Sequence, residues 1–102
     1  MIRGTTPTLT FTLPFSLDGV KTCWITFAQN GSERFTVDLS NECCEWEGDQ
    51  ITINMTQEQT LKLKSAVSVS IQLRVLTNRA EALASDVITV PVKDILKDGV
   101  IG

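Results

Sequence analysis

The chain has 102 residues, 42% of them apolar, which is the size and composition of one domain that can bury a core without disulfides or a metal ion. Nine Lys and Arg residues against 12 Asp and Glu give a net charge of −3, and this disfavours binding to the phosphate backbone of nucleic acid. No window approaches the roughly 18 consecutive apolar residues of a membrane span, and no signal-peptide pattern follows Met1. We therefore expect a soluble chain made in the cytoplasm, with neither nucleic acid nor a membrane as its partner.

Apolar and polar residues alternate along most of the chain, which indicates strands with one face on a core and the other in water. The first such run is Thr8 to Leu13, and Pro14 ends it. The second run, Val20 to Gln29, directs Trp24 outward because the alternating positions beside it are apolar and belong on the core face. These core-facing residues are Cys23, Ile25 and Phe27.

Asn30-Gly31 predicts a hairpin, since both residues tolerate the positive φ angles of a type I′ turn. The run from Arg34 to Leu39 then predicts a third strand, paired antiparallel with the second. We predict an irregular segment from Ser40 to Gln50. A fourth strand from Ile51 to Met55 follows it, opened by a turn at Gly48-Asp49.

Thr56 and Gln59 have the spacing of a helix capping box, which predicts one short helix between Thr56 and Lys64. The longest alternating run, Val67 to Val75, comes next. We place it at the centre of a sheet, with Leu73 on its core face.

Two shorter runs, Glu81 to Ala84 and Ile88 to Val92, complete the predicted strands, and the second belongs at a sheet edge because Pro91 cannot donate to a neighbour. Six or seven short strands separated by turns, with one helix, predict an all-β fold, an antiparallel immunoglobulin-like β-sandwich. We expect this single domain to span residues 1–92. The C-terminal tail, residues 93–102, is expected to be mobile or to dock on a neighbour.

The sequence offers little from which to build a catalytic centre. It has no His and no Tyr, so a Ser, Thr or Cys nucleophile would need Lys or a carboxylate as its base. Ser65 does follow Lys64, but adjacent side chains point apart. We expect no enzymatic activity, no cofactor and no metal site.

Three cysteines, Cys23, Cys43 and Cys44, are predicted to be reduced thiols. An odd number cannot pair completely, and adjacent cysteines fit ordinary disulfide geometry poorly. A zinc ion would need a carboxylate as its fourth ligand because the chain has no His.

Acidic residues alternate at Glu45, Glu47 and Asp49, so their carboxylates would share one side of an extended segment. Such a group could hold calcium or serve a two-carboxylate hydrolase, and we favour a solvated acidic edge over both. Between Asp38 and Glu58 there are six acids and no Lys or Arg, so this region carries −6 and the rest of the chain +3. That split would suit head-to-tail contacts in a homo-oligomer, or it arises from loops segregated by chance.

Two tryptophans are further candidates for an interface. Trp24 lies on the polar face of a predicted strand and Trp46 lies within the acidic segment, and Trp is enriched at binding hot spots. One of the two could instead be tucked under a loop, and Trp24 is the stronger candidate. The predicted interface residues are Trp24, Trp46, Glu45, Glu47 and Asp49.

Four stretches of the sequence carry a family resemblance: Met1 to Phe11 (MIRGTTPTLTF), Met55 to Lys62 (MTQEQTLK), Ile71 to Leu76 (IQLRVL) and Ala82 to Ser85 (ALAS). With them the chain resembles, over nearly its whole length, a family of short proteins of unknown function encoded in prophages of Firmicutes. The order of an extended strand, a Thr-capped turn, a long strand and a hairpin partner is also similar to the N-terminal sandwich domain of phage upper baseplate proteins. Neither resemblance supplies catalytic residues.

The resemblance implies a phage structural or assembly protein, associated with the tail or baseplate, that acts by contacts with other phage structural proteins. It would reside in the host cytoplasm during assembly and then in the virion. The alternative from another class is a small host-directed binding module, such as an acidic inhibitor that occupies a basic site on a bacterial protein.

Overall fold

The computed structural model describes residues 1–38 and 44–102, and in them it contains eight strands and one helix. The strands are β1 (Thr8–Thr12), β2 (Val20–Gln29), β3 (Ser32–Asp38), β4 (Cys44–Glu47), β5 (Gln50–Asn54), β6 (Val69–Thr77), β7 (Ala82–Ala84) and β8 (Ile88–Val90), and the helix is α1 (Gln57–Leu61). These strands pair antiparallel. The predicted all-β class, with one short helix, is confirmed.

Two sheets form the sandwich. The smaller sheet has the strand order β1-β5-β4, and the larger sheet has the order β3-β2-β6-β7, with β8 also paired to β6. In chain order these positions correspond to strands B, E and D of one immunoglobulin sheet and to C′, C, F and G of the other. The strand order is therefore that of the predicted immunoglobulin-like sandwich.

The core lies between the two sheets and is built from their inner faces. Phe27 of β2 stacks on Phe35 of β3 with ring centroids 4.5 Å apart, and Ile51 and Ile53 of β5 in the smaller sheet belong to the same buried cluster. The core-facing residues that alternation predicts for the second strand, Cys23, Ile25 and Phe27, are all buried.

Strand β6 has neighbours on both sides, as its predicted central position requires. It pairs with β2 along one side, and with both β8 and β7 along the other. Ser85 lies at the break between β7 and β8, where its hydroxyl accepts a hydrogen bond from the Leu73 N–H at 3.0 Å. The predicted edge position of the last strand is confirmed for Ile88–Val90.

The segment from Ser40 to Gln50 was predicted to be irregular, and for Cys44–Glu47 this is wrong. Those residues form β4, which pairs with β5 through the turn at Gly48-Asp49. This strand has only four residues, and charged residues occupy every second position because its outer face is in water. The sequence pattern therefore does not indicate a strand. Residues 39–43, including Cys43 and the predicted end of the third strand, lie outside the described residues.

The predicted capping box is present at the start of α1. The Thr56 hydroxyl accepts from the Gln59 N–H at 3.2 Å, and the Gln59 side-chain oxygen accepts from the Thr56 N–H at 3.0 Å. The connection from α1 to β6 is then held by Gln29, a fully buried side chain at the end of β2. Its amide donates to the carbonyls of Lys64 and Val67, and its oxygen accepts from the Lys64 N–H at 2.8 Å.

Residues 93–102 contact the N-terminal segment and the helix of their own chain. The Arg3 guanidinium donates to the Leu63 carbonyl at 2.7 Å and forms ion pairs with Asp94 and Asp98. The Ile95 N–H, and after it Arg3, lower the pKa of Asp94 from its ordinary value. Near the end of the chain, the Ile101 N–H donates to the Gln57 side chain at 2.7 Å.

The assignment of β6 residues to inner and outer faces predicts that alanine substitutions at two adjacent positions lower the stability by unequal amounts. Leu73→Ala should lower the free energy of unfolding by about 2–5 kcal/mol because the side chain is fully buried between the sheets. Arg74→Ala, on the outer face, should change it by no more than about 0.5 kcal/mol. Urea unfolding of both variants measures the difference, and equal losses would contradict the face assignment.

Candidate functional site

Trp24 lies on the outer face of the larger sheet. It belongs to β2, which has β3 on one side and β6 on the other, and it is directly opposite Asp38 and Arg74 on those strands. Half of the side chain, 50%, is exposed. The sequence prediction that Trp24 points away from the core is confirmed.

Trp24 has basic and apolar neighbours on this face. The Arg74 guanidinium carbon is 6.0 Å from the centre of the Trp24 ring system, within the range of a cation–π interaction. Leu76 is 37% exposed and lies opposite Thr22 in the β2–β6 register. With Ala82 these side chains line a shallow depression of about 280 Å³. We call this surface the Trp24 face, and it consists of Thr22, Trp24, Arg74, Leu76 and Ala82.

Arg74 has no ion pair among the residues that the structure describes. In residues 1–38 and 44–102, no carboxylate oxygen lies within 4.0 Å of its guanidinium. Exposed Trp and Arg side chains recur at the energetic centres of protein–protein interfaces, and the Arg74 guanidinium can donate to a carboxylate of a partner. The Trp24 face can therefore bind a protein surface that presents an apolar side chain beside an acidic one.

The acidic candidates lie on the other sheet. Glu45 is opposite Thr52, and Glu47 is opposite Gln50, so both carboxylates belong to the outer face of the smaller sheet. Asp49 lies in the β4–β5 turn, where its carbonyl accepts from the Leu13 N–H at 2.8 Å. The prediction that Glu45, Glu47 and Asp49 share one side of an extended segment holds for the two glutamates and is wrong for Asp49, because the turn ends the strand.

Trp46 does not join Trp24. It is opposite Ile51 in the β4–β5 register, so it has the orientation of a core residue, but it lies on an edge strand and is 45% exposed. The five predicted interface residues are thus distributed over two sheets and one turn and do not form one site. The described part of the chain contains no cluster of three or more His, Cys, Asp or Glu side chains that could hold a metal ion.

Cys23 is a free thiol in the core, in agreement with the predicted reduced state. Burial, and after it the charge of Asp38, raises the pKa of this thiol from the ordinary value of 9.0 to about 11. A thiol that stays protonated at neutral pH is a poor nucleophile.

Only Trp24 of the five members of the Trp24 face was predicted as an interface residue. The other four were not, and Arg74 and Leu76 are the two on β6. Alternation places Arg74 on the outer face of the run from Val67 to Val75, and Leu76 lies one residue beyond that run. Their position beside Trp24 depends on the pairing of β2 with β6, two strands separated in the chain by the smaller sheet's hairpin and the helix. A local pattern does not fix the register of such a pair.

Comparisons with models of protein families, with curated proteins and with solved structures found no match to this chain. In the described residues, no helix has the length and apolar character that crossing a membrane requires. The resemblance to prophage proteins stays a prediction.

The raised pKa of Cys23 predicts a loss of stability at alkaline pH. The folded chain keeps the thiol proton up to about pH 11, whereas the unfolded chain releases it near 9.0, so this contribution is complete below pH 9 and declines as pH rises from 9 to 11. Chemical unfolding across this pH range should show the decline in the wild type. The Cys23→Ala variant should show less of it, and identical pH profiles would contradict the assignment.

Proposed function

We propose that the protein is a phage structural or assembly protein, associated with the tail or baseplate, that acts by binding another protein of the particle through its Trp24 face. One observation carries the choice of surface: Trp24 is half exposed on the outer face of β2, at a position paired with Asp38 on one side and with Arg74 on the other. A large aromatic side chain in water is explained most simply by a partner that covers it. The phage assignment rests on the sequence resemblance.

The chemistry of the face specifies the partner. Trp24, Leu76 and Ala82 supply apolar area, and Arg74 supplies a charge that a carboxylate of the partner would neutralise. The partner is therefore a phage structural protein with an acidic residue next to an apolar one. In this role the chain acts in the host cytoplasm during assembly and then in the virion, without enzymatic activity.

The test compares two tryptophans of nearly equal exposure. Particles are purified from a lysogen that expresses wild-type chain, Trp24→Ala or Trp46→Ala, and the amount of chain per particle is measured by quantitative mass spectrometry. Trp24→Ala should reduce incorporation by about tenfold or more, the effect of losing a hot-spot side chain. Trp46→Ala, on an edge of the smaller sheet, should leave incorporation unchanged.

Absence of the wild-type chain from purified particles would contradict the proposal. Recovery of the chain bound to a host protein, with Trp24→Ala abolishing that complex, would instead support the host-directed binding module. Equal effects of the two substitutions on incorporation would reject the Trp24 face as the contact surface.

A further inference from the structure

The four sheet edges of the sandwich differ in how they resist pairing with another chain. Edge strand β3 carries Glu33, Arg34 and Asp38, and edge strand β4 carries Glu45 and Glu47. The β7–β8 edge consists of two strands of three residues, interrupted around Ser85. Charges, short strands and breaks are the features by which proteins prevent edge-to-edge association.

Strand β1 has none of these features. It is a continuous strand of five residues with the sequence TLTFT, and the chain from Gly4 to Leu17 contains no Asp, Glu, Lys or Arg. Thr and Phe are residues of high strand propensity. Among the described strands β1 pairs with β5 alone, so its other side is an uncharged edge.

The hydrogen bonds at both ends of β1 show which backbone groups face that free edge. The Leu13 N–H donates to the Asp49 carbonyl, and the Met55 N–H donates to the Pro7 carbonyl. In an antiparallel ladder these bonds recur at every second residue, so the odd-numbered residues of β1 bond to β5. The N–H and C=O groups of Thr8, Thr10 and Thr12 therefore point away from β5, where no described residue bonds to them.

This row of groups is complementary to a second copy of itself. If two β1 strands pair antiparallel about a two-fold axis at Thr10, Thr10 lies opposite Thr10 of the second copy, and Thr8 lies opposite Thr12 of the second copy. Each of these pairs can exchange two backbone hydrogen bonds. The same register puts Leu9 opposite Phe11 of the second copy on the core side, with the threonines together on the outer side.

Pairing in this register also covers an apolar cleft. A cleft of about 490 Å³ lies between the end of β1 and the β7–β8 edge, and its lining includes Phe11, Leu13, Pro14 and Ile88. Pairing about Thr10 continues with Pro7 of the second copy opposite Leu13, at this cleft. Because the β1 edge is uncharged, the symmetric contact brings no like charges together.

We propose that the β1 edge is a self-association site, at which two copies of this chain pair their β1 strands antiparallel about Thr10 and join their smaller sheets into one continuous sheet. The occupant is a second copy because the free hydrogen-bonding groups, the apolar pairs and the cleft are all satisfied in a single two-fold register. The site is independent of the Trp24 face, which belongs to the other sheet.

Two matched proline substitutions test the site. Thr10→Pro removes an N–H that points to the β1 free edge. Thr89→Pro removes an N–H that points to the β8 free edge, because the odd-numbered residues of β6 bond on that side and Thr89 is opposite an even-numbered one, Ser70. Neither change removes a backbone hydrogen bond between strands of one chain, and proline is tolerated at such edge positions. Thr10→Pro also removes the 3.3 Å hydrogen bond between the Thr10 and Thr52 hydroxyls. Sedimentation equilibrium measures the mass of each folded variant across a wide range of protein concentration.

The wild type and Thr89→Pro should both convert from one chain to two as concentration rises. Thr10→Pro should associate about tenfold more weakly or not at all, since it loses hydrogen bonds at the two-fold axis. A wild-type chain that stays a monomer at every concentration overturns the proposal. So does a dimer that Thr10→Pro leaves intact, including one that only Trp24→Ala disrupts.

A cross-linking variant tests the register and does not depend on proline. With Cys43 and Cys44 replaced by Ser, Thr10→Cys should form a disulfide-linked dimer under mild oxidation, because paired residues at the axis have Cα atoms about 5.5 Å apart. Thr52→Cys, on the neighbouring strand β5, should not. A cross-link at Thr52 that equals or exceeds that at Thr10 overturns the register. Failure of Thr10→Cys to cross-link in a folded chain, with pairing only to a different protein, overturns the second copy as occupant.

Discussion

The pairing of β2 with β6 is the interaction on which the rest of the structure depends. These are the two longest strands, and each also pairs on its other side, so together they form the centre of the larger sheet. Their register brings Ile25 next to Leu73 on the inner face and Trp24 next to Arg74 on the outer face. One set of backbone hydrogen bonds therefore fixes both the middle of the core and the proposed binding face. A shift of one residue would exchange the two sets, which is why burial of the inner face specifies the register so strongly.

Much of this architecture follows from local sequence. Alternation predicts the outward orientation of Trp24 and the burial of Leu73, and the spacing of Thr56 and Gln59 predicts the capped helix. The features that local sequence does not predict depend on contacts between residues far apart in the chain. Strand β4 forms because it pairs with β5, and its charged residues obscure the strand pattern in the sequence. The Gln29 side chain hydrogen-bonds to a loop more than 30 residues away in the chain. Arg3 likewise binds a carbonyl 60 residues away.

The same distinction applies to the candidate surface. Composition and alternation select Trp24, but they also select Glu45, Glu47 and Asp49 as one group, and the β4–β5 turn separates them. Trp46 has the register of a core residue at an edge. Sequence alone identifies which side chains are unusual on a polar face, whereas only the pairing of strands shows which of them are neighbours.

The two proposed surfaces use different parts of the sandwich. The Trp24 face presents side chains from the middle of the larger sheet, and the β1 edge presents backbone groups at the border of the smaller sheet. Binding at one does not cover the other, so a pair of chains joined at β1 would carry two Trp24 faces. A symmetric pair with two outward binding faces is suited to link neighbouring subunits of a larger assembly.

The central claim is that this chain acts by binding through a strand edge and a sheet face that its own fold leaves uncovered. Backbone amide hydrogen exchange, followed residue by residue by NMR at low and high protein concentration, tests it most directly. The account predicts that the amides of Thr8, Thr10 and Thr12 become protected as concentration rises, while those of Ala82 and Ala84, which also point to a free edge, stay unprotected. Exchange at the three threonines that does not depend on concentration, or equal protection of the two alanines, would contradict it.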